Sequence, residues 1–127
     1  MGSDHTDRQI ERTSIALSKQ ACAKVIGREA IRVDRVANWD AIELTSWVDD
    51  QKEPYQVGFL AQILSLASLL GDLQKTGVSL QAGDVLFLGT VPVSGGELRP
   101  ADIFRAELRH PDEGWRVELQ YAIDSPA

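Results

Sequence analysis

The sequence predicts an α+β fold in a single domain over residues 1–127, with a C-terminal β-hairpin, further short strands and one long buried helix. Three observations carry that reading. Trp115, Val117, Leu119, Tyr121 and Ile123 alternate with Arg116, Glu118, Gln120 and Ala122, the period-two pattern of a strand with one wet face. Residues 103–110 supply its partner, with Arg105, Glu107 and Arg109 as the polar set and Pro111-Asp112-Glu113-Gly114 as the turn between them. Residues 57–73 are nearly all apolar, and this run predicts a buried core helix. It includes Gln62 and two serines, lies at or below the length a membrane span needs, and lacks flanking basic anchors.

The remaining elements follow in chain order. Residues 7–21 read as an amphipathic helix with Ile10, Leu17 and Ala21 on one face. Thr6 and Gln9 have the spacing of a capping box at its start, which would put Asp4 just outside a helix N-terminus, where unpaired N–H groups favour a carboxylate. Residues 41–48 alternate as a strand and are followed by the turn signal Asp49-Asp50-Gln51-Lys52. Gly77 is a helix stop, Gln81-Ala82-Gly83-Asp84 a turn, 85–88 an apolar strand and Gly89-Thr90 its end. Val93-Ser94-Gly95-Gly96 would make a mobile loop, and there is no internal repeat.

Composition narrows the function classes. With 43% hydrophobic and 25% charged residues the chain is an ordinary globular domain. Its net charge of -6 and dispersed Lys and Arg argue against a nucleic-acid partner and against an acidic membrane surface. Cys22 is the single cysteine, so neither an intrachain disulfide nor a thiolate zinc cluster can be built; two histidines, His5 and His110, exclude a His-rich metal site. The first twenty residues contain no apolar stretch of a secretory signal, and the expected location is cytoplasmic.

Several groups could carry chemistry. Asp4, Arg8 and Lys19 either form a small polar pocket for a metal ion and a carboxylate or keto-acid ligand, or are a capping residue and two solvated charges; spacing alone favours the second. Gly83-Asp84 and Gly89-Thr90 bracket an apolar run and could present a hydroxyl and backbone N–H groups at a strand end, or merely be two turns. His5 is either a general base or, more in keeping with its position, a capping or surface group. Cys22 has no activating neighbour in sequence and reads as an inert thiol.

Taken in order, these segments resemble the C-terminal half of the fumarylacetoacetate hydrolase superfamily, whose members act on 2-keto acid and acylpyruvate-type compounds. Ser3-Asp4-His5-Thr6-Asp7-Arg8 is similar to that family's Asn-Asp-x-Ser/Thr-Ala-Arg segment, Ser18-Lys19-Gln20 to its Lys-Gly/Ser-Phe segment. Leu80-Gln81-Ala82-Gly83-Asp84-Val85 through Leu88-Gly89-Thr90 is similar to its Leu-x-Pro-Gly-Asp-Val-x-x-x-Gly-Thr, the most specific of the matches, and Leu98-Arg99-Pro100-Ala101-Asp102 to its terminal Leu-x-Pro-Gly-Asp. The likeness is nearest to a sparsely characterised bacterial branch.

The resemblance implies a mixed, strongly curved β-roll and a hydrolase or lyase that works through a metal-stabilised enolate. By the same resemblance Asp4 is a ligand of Mg2+ or Mn2+, Arg8 and Thr90 contact the substrate, and Lys19 both contacts the substrate and takes part in catalysis. The expected partners are a small keto acid and a second copy of the chain, as a homodimer. The family's Glu-x-Glu metal ligands are absent from the sequence, so further ligands are expected from outside it, through an internal start or a second chain. The alternative is a non-catalytic remnant that serves as a dimerisation or small-ligand-binding module.

Overall fold

The structure is a computed structural model that describes residues 1–124. It is α+β: three helices, a four-stranded antiparallel sheet and a separate two-stranded ribbon. Strands β3 (Glu43–Val48), β4 (Gln56–Phe59), β5 (Ile103–His110) and β6 (Trp115–Ala122) lie in the order β4-β3-β5-β6. The ribbon pairs β1 (Gly2–Asp4) with β2 (Lys24–Ile26), and the helices are α1 (Arg8–Glu11), α2 (Ile15–Ala21) and α3 (Leu66–Lys75). Every strand pair is antiparallel, so the mixed sheet expected from the resemblance does not form among the described residues.

The hairpin forms as its alternation dictates. Ile103 pairs with Ala122 and His110 with Trp115, with Gly114 at φ 74° in the turn, a conformation that costs glycine little. Phe104, Ala106, Val117 and Leu119 are buried, as are Val48, Ile42, Leu60 and Val91, and Phe104 and Ala106 pack with Val48. Arg105 and Arg109 stay on the wet face. The strand expected at 41–48 begins at Glu43, because Trp39–Ala41 makes a 3-10 turn. Beyond it, Asp49 takes φ 52° and its Oδ1 accepts from the backbone N–H groups of Asp102 and Ile103 at 2.8 and 3.0 Å.

Three expected elements are corrected. The long buried helix over 57–73 is instead β4, a 3-10 turn at Leu60–Gln62 and α3, none of whose residues is fully buried. Residues 56–59 alternate buried and exposed, and a Cβ on Gly58 would lie 2.9 Å from Val91 Cγ1, so the segment is a strand whose glycine leaves room for the Val91 side chain. Ser65 then caps α3 by accepting from Ser68 N–H at 3.2 Å.

The helix expected over 7–21 is broken in two. Asp7, not Thr6, is the first cap, its Oδ1 accepting from Gln9 N–H and Ile10 N–H at 2.9 Å, and Ser14 restarts the chain as the cap of α2. Asp7 and Ser14 both prefer such half-extended cap positions to a helix interior. Finally, 85–88 is irregular rather than a strand. Its half-buried Phe87 packs against Gly2 and so joins this segment to β1.

Candidate functional site

Asp4 lies in β1 directly opposite Lys24 in β2, a cross-strand pair of opposite charge, rather than at a helix N-terminus. From α2, Lys19 reaches the same carboxylate and donates to Asp4 Oδ2 at 2.5 Å. The sequence places Lys19 there because α2 begins at the Ser14 cap and its buried Ser18 accepts, through its carbonyl, from Asp7 N–H, which fixes the helix against the loop that follows β1.

Lys24 Nζ stands 2.8 Å from Asp4 Oδ1, but its protons are aimed at backbone carbonyls, those of His5 at 3.2 Å, Cys22 at 3.1 Å and Lys19. An ammonium has three N–H donors, so Asp4 Oδ1 is left buried without a hydrogen bond despite the ion pair. Burial pushes the Asp4 carboxyl up, and the Lys19 hydrogen bond with the two close ammonium groups of Lys19 and Lys24 more than reverses this, holding its pKa below the usual 3.8.

Beside this ion cluster stands a second one. His5 Nε2 hydrogen-bonds the Tyr121 hydroxyl, which donates to Ser3 Oγ at 2.7 Å, and Ser3 Oγ lies 3.2 Å from the same ring nitrogen. The ring also stands edge-on to Phe104 at 5.4 Å between centroids, so core packing holds it. Burial, reinforced by the nearby Lys24 charge, lowers the His5 pKa below 6.5, while burial raises that of Tyr121 above 10.0.

The other expected site residues make no hydrogen bond to either cluster, although the Arg8 charge acts on His5. Arg8 is engaged with Glu11 at 2.5 Å and exposed. Thr90 is exposed at the end of the irregular 85–90 segment, where its Oγ1 accepts from Gln56 Nε2 at 2.9 Å. Gly83-Asp84 is a turn: Asp84 Oδ2 accepts from Gln81 N–H at 2.7 Å and Asp84 N–H donates back to the Gln81 carbonyl. Cys22 is a half-buried free thiol at the end of α2.

The sequence reading assigns no site role to Lys24, Ser3 or Tyr121. Lys24-Val25-Ile26 ahead of Gly27 carried a faint strand signal, whereas the approach of Tyr121 to His5 joins the two ends of the described chain and leaves no local trace.

The residues present do not by themselves fit a divalent cation. Asp4 Oδ1 is one available oxygen, Mg2+ and Mn2+ take about six, and two ammonium groups already neutralise the carboxylate. Among the described residues no group of three His, Cys, Asp or Glu side chains stands close enough to hold a metal.

Fold and site together define an α+β protein with a charged and hydrogen-bonded cluster where an N-terminal ribbon meets a C-terminal hairpin. The chain belongs to the family described as Protein of unknown function (DUF2848), which it matches over residues 1–121. No curated protein and no solved structure matches it. Among the described residues, no helix is long and apolar enough to cross a membrane.

Proposed function

We propose that the chain forms part of a divalent-metal-dependent enzyme of the fumarylacetoacetate hydrolase superfamily, a hydrolase or lyase acting on a 2-keto acid or acylpyruvate-type compound in the cytoplasm. The observation that supports this reading is the Asp4–Lys19 ion pair. The two residues that the resemblance assigns to metal and to substrate meet across 15 positions of sequence.

In this reading Lys19 and Lys24 attract the substrate carboxylate. The Lys19 side chain is 43% exposed, so it can exchange its bond to Asp4 for one to a ligand without opening the core. Arg8, released from Glu11, adds a planar donor pair for the same anion, and Thr90 offers a hydroxyl from the 85–90 segment. The His5–Tyr121 pair sets an imidazole and a phenol beside the anion, groups able to hold or pass a proton at Nε2 and the tyrosine oxygen. Mg2+ or Mn2+ would take Asp4 as one ligand, with further oxygens from outside the described residues, and none of these roles depends on it.

The second reading is a remnant that binds a small ligand without catalysis, favoured by a lone carboxylate that its own lysines already neutralise. The two are separated by titrating the purified chain with Mn2+ by calorimetry and with pyruvate and acetylpyruvate by ligand-observed NMR, using wild type, Asp4→Ala and Lys19→Met. Keto-acid binding lost in Lys19→Met, and Mn2+ binding lost in Asp4→Ala, support the enzyme reading. Keto-acid binding without any Mn2+ effect supports the remnant, and a folded wild type that binds neither ligand overturns both.

A further inference from the structure

The Lys24 ammonium is surrounded more completely than its charge partner requires. Its Nζ lies within 3.2 Å of four oxygens: the backbone carbonyls of His5, Lys19 and Cys22, and Asp4 Oδ1. Part of this is ordinary helix capping. Helix α2 ends without a left-handed residue, Cys22 being extended at φ -102° and ψ 139°, and the carbonyls of a last helical turn have no partner within the helix. A lysine near such an end donates to them and is favoured by the helix dipole. The His5 carbonyl and the Asp4 carboxylate belong to no helix end. They come from the loop after β1 and from β1 itself, and they complete a shell of oxygens around one compact positive charge.

We infer that this shell is a monovalent-cation site that the chain fills with its own lysine, so that Lys24 stands in the place of a bound K+ or NH4+ and sets Asp4 against Lys19. The class of ion follows from the oxygens. Converging backbone carbonyls can replace the hydration shell of K+. The one carboxylate is shared with Lys19 at 2.5 Å, so without Lys24 the shell keeps less than one full negative charge. A monovalent ion balances that charge, whereas a divalent ion asks for about six oxygens and more charge than the shell offers.

The two lysines of the cluster thereby take different parts. Lys19 donates to a side chain and is free to exchange, while the three protons of Lys24 all point at backbone carbonyls that tie α2 to the loop after β1. Lys24 is a positioning residue, acting through Asp4 and Lys19. The inference shares those two residues with the proposed site but none of its chemistry: its test reads the cation dependence of stability, so it stands or fails whether or not a keto acid binds.

The test is urea unfolding of wild type and Lys24→Ala in the chlorides of K+, NH4+ and tetramethylammonium at equal ionic strength, the last ion being too large for the shell. The wild-type unfolding constant is expected to differ less than about twofold among the salts. Lys24→Ala is expected to be destabilised in tetramethylammonium and to recover in K+ and NH4+, its unfolding constant falling about tenfold once the cation is at ten times its dissociation constant. Capping alone would make the three salts equivalent for the variant, so a folded Lys24→Ala with one unfolding constant in all of them overturns the inference. Acetylation of the four lysines of the wild-type chain, followed by mass spectrometry, keeps the inference testable where Lys24→Ala does not fold. The Lys24 side chain is 33% exposed and that of Lys75 79%, so exposure alone slows labelling of Lys24 by about 2.4-fold, the ratio of the two. Freeing the engaged ammonium breaks charge-assisted hydrogen bonds, and Lys24 is expected to react at least about tenfold more slowly than Lys75. A smaller difference overturns the inference.

Discussion

Leu119 is the residue through which the sheet-based core is most directly tested. It is 6% exposed, faces Ala106 across the β5–β6 ladder and reaches toward Gly27, so it joins the hairpin to the N-terminal ribbon. Truncation to Ala removes three carbon atoms, worth about 0.8 kcal/mol each in lost transfer free energy, or roughly 2.4 kcal/mol together. The cavity left behind adds to this, and the expected loss is about 3 kcal/mol within a range of about 2 to 5. At an unfolding entropy of about 2.1 cal/mol/K per residue, 3 kcal/mol lowers Tm by about 11 °C for a chain of this length. The assay is thermal and urea unfolding followed by circular dichroism, at one fixed protein concentration because self-association would shift Tm. Val57→Ala, at a side chain 51% exposed, serves as the control. A Leu119→Ala change below about 0.5 kcal/mol, the size of an ordinary surface substitution, would refute its place in the core.

Other expectations concern the polar network and pH. Gln56→Ala strands the Ser46 hydroxyl and the Val91 carbonyl, which the side chain bonds at 2.9 and 2.7 Å, and is expected to cost about 2 to 4 kcal/mol in urea unfolding. Thr90→Val deletes one exposed acceptor and should cost less than about 1.5 kcal/mol in the same assay. The folded pKa of His5 lies below its ordinary 6.5, so the neutral ring contributes stability that is full above pH 6.5 and is lost as pH falls toward the folded value. His5→Gln should flatten the stability profile just below pH 6.5, and an NMR titration of His5 that gives 6.5 or more would contradict the burial argument. The Asp4 carboxyl is likewise depressed below 3.8, so its contribution is complete above that pH and disappears as pH falls through the folded pKa. Acid unfolding of Asp4→Asn should therefore be less steep than that of wild type, and identical profiles would count against the ion cluster.

How much of this was legible in the chain depended on how far apart the interacting residues lie. The hairpin could be read because period-two alternation and the 111–114 turn are local signals that tertiary packing reinforces. The 57–73 run misled because Val57, Gly58 and Phe59 abut Leu60 and the leucines of α3, and an unbroken apolar stretch does not show whether its period is two or 3.6. The break at Ser14 was visible as a cap residue but was outweighed by helix-forming neighbours. The site was half legible. Asp4 and Lys19 were singled out and do meet, while Lys24 and Tyr121 arrive through strand pairings that no short window contains.

Gln56 has a reach beyond the strand that carries it. The segment that ends at Thr90 has no ladder of its own; its neighbours Val91 and Val93 are tied to β4 by the Gln56 side chain and by a single backbone bridge at Gln56. The coordinates of Thr90 are thus inherited from a buried amide 34 positions earlier, which itself need meet no ligand. A redesign of ligand preference around Thr90 therefore has a remote control point, and a mutant library confined to the surface residues of 85–90 would hold constant a side chain that positions Thr90.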